Sequence, residues 1–295
     1  MARRHPVLRA FLLFALGTAA LLALIAGVAI LSGGLGGPFL GRTVGVVELH
    51  GVIEDATDVV DTLERFRQAD GTVAVVLRID SPGGAVAPAQ EIYDEVWRVR
   101  EREPVVASLG TVAASGGYYV ASAANQLVAD AGTITGSIGA IMTVPYYAPL
   151  ADKIGVSEDT VKSGRFKDTG HPLRRLTADE RTLLQGMVDD VLGQFVGAVA
   201  HGRKLSESKV RALADGRIYS GSQALALGLV DRLGGLAAAT RLAWETAGQS
   251  GEPRVQRFRP RRLPKLLELL SEALLGGQAA PTGGLFLLYR GPVPQ

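Results

Sequence analysis

The chain has 295 residues, 47% of them hydrophobic, which is enough for one large domain or two small ones with a sizeable core. Its formal net charge of +2 gives no argument for nucleic-acid binding, because the 31 Lys and Arg residues are scattered except at the two ends. The absence of cysteine excludes thiol catalysis, disulfides and cysteine-ligated zinc sites.

The N-terminus combines a basic tip with an uncharged apolar run. Arg3, Arg4 and Arg9 precede residues 10–31, which contain no charged side chain. A helix needs about 20 apolar residues to cross a bilayer, whereas the apolar core of a cleavable signal peptide has roughly 7–15 and ends at a small-residue cleavage site. The run therefore favours an uncleaved transmembrane anchor at 1–31 over a cleaved signal peptide. The positive-inside rule places its basic tip in the cytoplasm and the rest of the chain outside, after a flexible linker at 32–42.

Strand-like and helix-like patterns alternate from residue 43 onward. The predicted strands are Thr43–Leu49, Val73–Ile79, Pro104–Leu109, Gln126–Ala129 and Thr133–Thr143. The predicted helices are Asp58–Ala69, Ala85–Arg102, Val112–Ala124, Thr177–Arg203, Gly221–Leu227 and Leu236–Ala247. Thr177 and Glu180 form a capping box at the start of the longest helix. The alternation indicates a layered α/β fold for the domain at 43–250.

The last segment, 251–295, departs from this alternation. A basic stretch around Arg254–Lys265 overlaps a stripe of leucines at Leu263, Leu266, Leu267, Leu270 and Leu274. The pattern predicts an amphipathic helix, which packs either on the domain, on a neighbouring subunit or on a membrane surface.

A candidate nucleophile lies in the segment T-V-A-A-S-G-G-Y-Y, Thr111–Tyr119. Ser115 is surrounded there by small residues at a predicted strand-to-helix turn, so a substrate backbone can approach its hydroxyl. The N–H of Gly116 at a helix start is unpaired and can bind the oxyanion of a tetrahedral intermediate. A tight contact between helix and sheet would favour the same small residues, and a serine hydroxyl needs a base before it is a good nucleophile.

A second glycine-rich turn, D-S-P-G-G at Asp80–Gly84, ends the predicted strand Val73–Ile79. Active-site loops of open α/β sheets collect at the carboxyl ends of strands. Gly84 is accordingly the second candidate oxyanion donor, and an ordinary turn is the alternative.

The candidate base is Lys167, in the polar segment V-K-S-G-R-F-K-D-T-G-H-P at Val161–Pro172. A lysine amine is a base only when neutral, and burial favours the neutral form, so a pocket closed by substrate or by a neighbouring subunit is required. Asp168 would oppose this if its carboxylate met the amine, and we predict that it points away. His171 is the rival base, because histidine is the commoner general base. Ser137, in T-G-S-I-G, is either a turn serine or the hydroxyl that orients the lysine amine without adding charge.

Five segments in this order resemble the signal peptide peptidase A family, the membrane-anchored serine–lysine peptidases of bacteria. The segments are D-S-P-G-G, A-A-S-G-G-Y-Y, G-T-I-T-G-S-I-G, S-G-R-F-K-D-T-G-H-P and G-R-I-Y-S-G-S-Q-A-L-A-L-G-L-V-D. The resemblance covers about Thr43–Ala247 and is to the short members that carry one copy of the domain.

The resemblance implies a Clp-protease and crotonase-like ββα spiral domain behind one N-terminal transmembrane helix. It implies Ser115 as nucleophile, Lys167 as general base and Ser137 as the group that holds the lysine amine, with Gly84 and Gly116 as oxyanion donors. It also implies a homo-oligomer at the cell membrane, with an extracytoplasmic catalytic domain that cleaves hydrophobic peptides such as remnant signal peptides.

Such substrates call for apolar binding pockets, and Val86, Ile134 and Ile141 are the candidate lining residues. No metal or nucleotide cofactor is expected, since the sequence has neither a zinc motif nor a P-loop. Two other functions stay open at this point. A crotonase-type acyl-CoA enzyme would use the glycine-rich loops for a thioester enolate, and a catalytically silent membrane scaffold would keep only the shell of a peptidase.

Overall fold

A computed structural model describes residues 16–20 and 41–258, together with the backbone of 286–288. Residues 16–20 are helical (α1) and belong to a first unit that ends at Arg42; the second unit begins at Thr43. In the ranges so described, no helix has the length and apolar character needed to cross a membrane. Most of the predicted anchor at 1–31, and the leucine stripe Leu263–Leu274, lie outside the described residues.

The second unit alternates strands and helices. Its strands are β1 (Thr43–His50), β2 (Thr72–Ser81), β3 (Gly83–Ala85), β4 (Val105–Ala114), β5 (Gln126–Ala129), β6 (Ile134–Gly136), β7 (Ile218–Ser220), β8 (Arg232–Leu233), β9 (Val255–Arg257) and β10 (Phe286–Leu288). Its helices are α2 (Thr57–Gln68), α3 (Val86–Arg100), α4 (Gly116–Ser122), α5 (Ala148–Lys153), α6 (Ala178–Arg203), α7 (Glu207–Leu213), α8 (Gly221–Leu227) and α9 (Leu236–Thr246).

The sheet is mixed but mostly parallel, and it divides at β4. The main path runs β7-β6-β4-β2-β1-β9, and β5 and β8 branch from β4. The first half of β4 pairs with β5, from Val106 to Leu109, and its last three residues pair with β6, from Val112 to Ala114. β4 thus pairs with β5 along its first half and with β6 at its end, so that the ends of β4 and β6 lie side by side at one edge.

Both faces of the sheet are buried, as the near-continuous apolar strands predict. On β1, Val44 and Val46 belong to the cluster that contains Trp244 of α9. Val47 and Leu49, one residue out of phase, belong to the larger cluster formed with α2, α3, α4 and α6. Helices on both faces confirm the layered α/β fold, and the parallel-rich sheet is consistent with a Clp-protease-like domain.

The sequence interpretation was wrong at two boundaries. Residues Val112–Ala114, predicted as the start of a helix, are the end of β4, because their pairing with β6 outweighs a local pattern of small residues that fits either structure. The predicted strand Thr133–Thr143 is limited to β6, since the chain turns at Ser137 with a positive φ. The capping box at Thr177 is confirmed, and α8 has a second capping box at Ser220 and a left-handed cap at Gly228.

Candidate active site

Ser115 occupies the sharp turn between β4 and α4. It is the N-cap of α4 with φ 53° and ψ −121°, a conformation that a residue with a Cβ adopts only under strain. Its N–H donates to the carbonyl oxygen of Gly136 at 2.8 Å, and its own carbonyl accepts from the N–H of Tyr119 at 2.8 Å. A strained strand-to-helix turn is the arrangement that exposes a nucleophile at the edge of a sheet.

Ser137 lies beside Ser115 at the end of the neighbouring strand. Its φ is 49°, and its N–H donates to the carbonyl oxygen of Arg217 at 2.8 Å. The two serines line one cavity of about 330 Å³, whose other walls are Gly139, Ala140, Ile141, Leu192, Ala214, Asp215 and Gly216. The sequence reasoning did not identify the wall Ala214–Gly216, although the segment that begins at Gly216 carries part of the family resemblance. The antiparallel pairing of β6 with β7 brings this wall to the serines.

The two candidate oxyanion donors follow the carboxyl ends of two paired strands, β2 and β4. Gly116 is the first residue of α4, so its N–H has no acceptor within the helix. Gly84 lies in β3, which follows β2 after one residue, and β2 pairs with β4 up to Ser81 and Ala113. A Cβ at Gly84 would collide with the carbonyl oxygen of Ile53, so only glycine fits there.

The two edges of β3 have different partners. Ile53 bonds to the flanking residues, donating to Gly83 O at 2.9 Å and accepting from Ala85 N at 2.7 Å. The N–H of Gly84 therefore points to the opposite edge, because successive residues of a strand alternate in direction. On that edge lies β10, antiparallel to β3, with Leu287 opposite Gly84. The edge of β3 thus accepts an antiparallel strand beside the nucleophile turn.

Lys167 does not line the serine cavity. It lies in the long loop between α5 and α6 and is exposed. Its amine makes no hydrogen bond or ion pair to any part of the chain that the structure describes. The described lining of the cavity contains no lysine or histidine. The rival base His171 also lies outside this lining, and its Nε2 lies 3.1 Å from Oε1 of Glu158.

Asp168 is directed to other cations, as predicted. Its carboxylate accepts from Lys162 Nζ at 2.6 Å and from Arg174 Nε at 2.9 Å. The hydrogen bonds from Arg174 and Lys162 hold the pKa of this carboxyl well below its usual range. Asp215, at the rim of the serine cavity, is held in the same way by Arg217, which lowers the pKa of Asp215 to about 2.

The three predicted lining residues have different positions. Ile141 lines the serine cavity, whereas Val86 packs against the core at the start of α3 and Ile134 is half-buried in β6.

A larger cavity of about 520 Å³ lies between β1 and α2 and contains none of the predicted site residues. Over the described ranges, no group of three His, Asp or Glu side chains is placed to hold a metal ion.

The arrangement supplies a strained serine, a second hydroxyl beside it and glycine N–H groups after the carboxyl ends of β2 and β4. These are the parts that acyl transfer requires apart from a base. A peptide in extended conformation can reach them along the edge of β3 if it takes the place of β10.

The sequence matches two protein-family profiles. Peptidase family S49 matches residues 98–250, more than half of the chain, and Clp protease matches residues 45–129. The first match contains Ser115, Ser137 and Lys167, and the second contains Gly84.

Individual relatives agree with these profiles. The chain is 50% identical over 161 residues to a putative protease of Synechocystis sp., covering 55% of this chain and 58% of the relative. It is 36% identical over 173 residues to a putative signal peptide peptidase SppA of Enterococcus faecium, covering 58% and 50%. It is 34% identical over 227 residues to Protease 4 of Haemophilus influenzae, covering 73% and 36%. The chain thus spans about half the length of the first curated relatives it matches. The matches confirm the resemblance to the signal peptide peptidase A family.

Proposed function

The chain belongs to peptidase family S49, and we propose that it is a membrane-bound serine endopeptidase in which Ser115 is the nucleophile and Lys167 the general base. The observation that carries the proposal is the strained turn that holds Ser115 in one cavity with Ser137. Its substrates are hydrophobic peptides such as remnant signal peptides. They are bound in extended form along β3, with an apolar side chain beside Ile141 and Leu192.

The reaction proceeds by acyl transfer. Neutral Lys167 removes the proton of Ser115 as the hydroxyl oxygen attacks the peptide carbonyl carbon, and the N–H groups of Gly84 and Gly116 bind the oxyanion. When the carbon–nitrogen bond breaks, the lysine ammonium donates its proton to the leaving amine. Water then attacks the acyl ester, with Lys167 again as base, and the acid product leaves Ser115. The Ser137 hydroxyl accepts a hydrogen bond from an N–H of the lysine amine, which aims the lone pair of the amine at Ser115.

Assembly of several copies supplies the covered environment that Lys167 lacks in one chain. Large apolar side chains are exposed along the same part of the chain, at Ile141, Tyr147, Leu150, Ile154, Val156, Val161, Phe166, Leu183 and Met187. Exposed apolar surface of this extent is typical of interfaces. We infer that a neighbouring copy covers this surface and brings the lysine of one chain to the serine of another.

The decisive experiment measures hydrolysis of a hydrophobic peptide ester by the full chain in detergent. Ser115→Ala and Lys167→Ala should each reduce kcat/KM by roughly 10⁴-fold or more, since the two groups act as a unit. Arg241→Gln removes an exposed arginine of α9 that pairs with Glu252. It is the matched control and should keep the activity. Activity that survives both active-site changes would refute the dyad.

The membrane topology has its own test. The uncharged run at 10–31 is proposed to anchor the chain with its N-terminus in the cytoplasm. A reporter enzyme fused after Gly41 should therefore be active only outside the cytoplasm, and a cytoplasmic signal would contradict the proposed orientation.

A further inference from the structure

The loop that carries Lys167 has no regular secondary structure between residues 154 and 177, but it is closely tied together. Short backbone bonds close successive turns, from Lys167 N to Gly164 O at 3.2 Å and from Thr169 N to Phe166 O at 3.1 Å. These bonds shape the turns, but they do not fix the loop to the domain. The loop is fixed by a backbone bond from Tyr147 N to Pro172 O at 2.7 Å and by a side-chain network.

Arg174 is the centre of that network. Its Nε donates to Oδ2 of Asp168 at 2.9 Å, and its Nη2 donates to the carbonyl oxygen of the same residue at 2.9 Å. The guanidinium also donates to both carboxylate oxygens of Glu180, at 2.8 and 2.5 Å. One planar side chain thus holds the residue after Lys167 by both its side chain and its backbone.

The network ends at Glu180, a buried residue in the first turn of α6. The side chain of Glu180 is only 3% exposed, and its Oε2 accepts from the N–H of Thr177 at 2.8 Å as part of the capping box of α6. The bond to Arg174 lowers the pKa of Glu180 to about 2, so this carboxylate is ionised at neutral pH. Arg174 therefore connects the base loop to the first turn of the longest helix.

The network also determines which charged side chains are available to pair with the Lys167 amine. Asp168 and Glu180 carry two negative charges, and Lys162 and Arg174 neutralise them. The remaining charged side chains of the loop and the first turn of α6 are the pair His171–Glu158, the pair Arg165–Asp179, the exposed Asp159 and Arg181, and Arg175, which lies over the ring of Tyr146. The carboxylate of Asp168, the residue after Lys167, is thereby already paired with Lys162 and Arg174. The Lys167 amine has no counter-ion among the described residues.

We propose that Arg174 is a positioning residue for the base: it fixes the Lys167 loop to α6 and withholds the Asp168 carboxylate from the Lys167 amine. The inference rests on the proposed function, because it matters only if Lys167 must be neutral. A carboxylate within about 4–6 Å of an amine favours the charged form. Without Arg174, Asp168 keeps only Lys162 as a partner. Its carboxylate can then turn to Lys167, and the base works only at higher pH.

The test is the pH dependence of kcat/KM on the hydrophobic peptide ester. Arg174→Gln should move the acidic limb of the profile to higher pH by about one unit, so that activity falls about tenfold at neutral pH and recovers in alkali. The double variant Arg174→Gln with Asp168→Asn removes the carboxylate as well and should return the limb to its original position. Arg241→Gln should not move the limb.

Two outcomes separate the possibilities. If Arg174→Gln lowers the rate by the same factor at every pH, or if the double variant does not restore the limb, Arg174 has a structural role only and the inference is overturned. Folding is checked by circular dichroism on each variant. The proposed function is tested independently by Lys167→Ala, so a failure of the dyad and a failure of the Arg174 inference give different results.

Discussion

Ser115 and Ser137 follow directly the last paired residues of two parallel strands, Ala114 and Gly136, and both have a positive φ, 53° and 49°. The N–H of Ser115 donates to the carbonyl oxygen of Gly136 and the N–H of Ser137 to that of Arg217, both at 2.8 Å. The strand pairing therefore forces two side chains with a Cβ into the left-handed region and directs both to one cavity. Strain of this kind persists only where the surrounding structure maintains it.

The strain at Ser115 has a measurable cost. Glycine adopts a positive φ without a Cβ clash, so Ser115→Gly should have a free energy of unfolding about 1 kcal/mol higher than Ser115→Ala, although both are inactive. Urea denaturation of the two variants measures the difference. Ala114→Gly, one residue earlier in regular β4, should instead lower stability. Equal stability of the two Ser115 variants would mean that the turn is not strained.

Ser137 gives a kinetic prediction. Since its proposed role is to orient the base, Ser137→Ala should lower kcat by roughly tenfold to a hundredfold, the range for groups that orient a catalytic partner. KM should change little, because the hydroxyl does not hold the substrate. Ser137→Gly suits the positive φ and also lacks the hydroxyl, so it should be equally slow. Full activity in the glycine variant would assign Ser137 to the turn alone.

The nucleophile turn and the glycine-rich loops could be predicted from the sequence, because a run of small residues at the end of an apolar strand is typical of a sharp turn with close backbone contacts. The strain at Ser115 could not, since it follows from the pairing of β4 with β6, whose residues are 22 positions further along the chain. The wall Ala214–Gly216 depends on a still more distant contact, between β6 and β7. Local patterns carry no information on such pairings.

Lys167 shows a different limit of sequence reasoning. Its neighbours suggested a polar loop, and the structure places it in one, exposed and outside the lining of the serine cavity. Nothing in the described part of one chain covers its amine. The burial that a lysine base requires is therefore a property that we assign to the assembly.

The assembly can be tested by mixing inactive variants. If the lysine of one copy serves the serine of another, Ser115→Ala and Lys167→Ala chains that are dissociated and reassembled together will form some sites with both groups intact. At equal amounts and random pairing, about a quarter of the wild-type activity should return, since each contact joins two chains independently. Each variant reassembled alone is the control. No recovery in mixed oligomers of native size would place both groups in the same chain.

The Arg174 network predicts a pH dependence of stability. The pKa of Asp168 and that of Glu180 lie below their unfolded values of about 4, the latter at about 2. Depressed carboxyl pKa values stabilise the folded state above the unfolded pKa and lose this contribution as pH falls through the folded pKa. The difference in thermal stability between wild type and Arg174→Gln should thus be largest near neutral pH and shrink between about pH 4 and pH 2. A constant difference over this range would show that the carboxylates contribute nothing through ionisation.

The pairing of β10 with β3 predicts that the C-terminal strand competes with substrate. Leu287 lies opposite Gly84 on the edge that we propose for the peptide, and both cannot occupy it at once. A chain that ends at Gly284 should therefore bind peptides more tightly, with a lower KM and an unchanged kcat. A synthetic peptide of residues 285–290 should inhibit the truncated chain competitively, and a peptide with the same residues in scrambled order is the control. If truncation raises KM instead, β10 forms part of the binding site, and the extended substrate pairs with another edge.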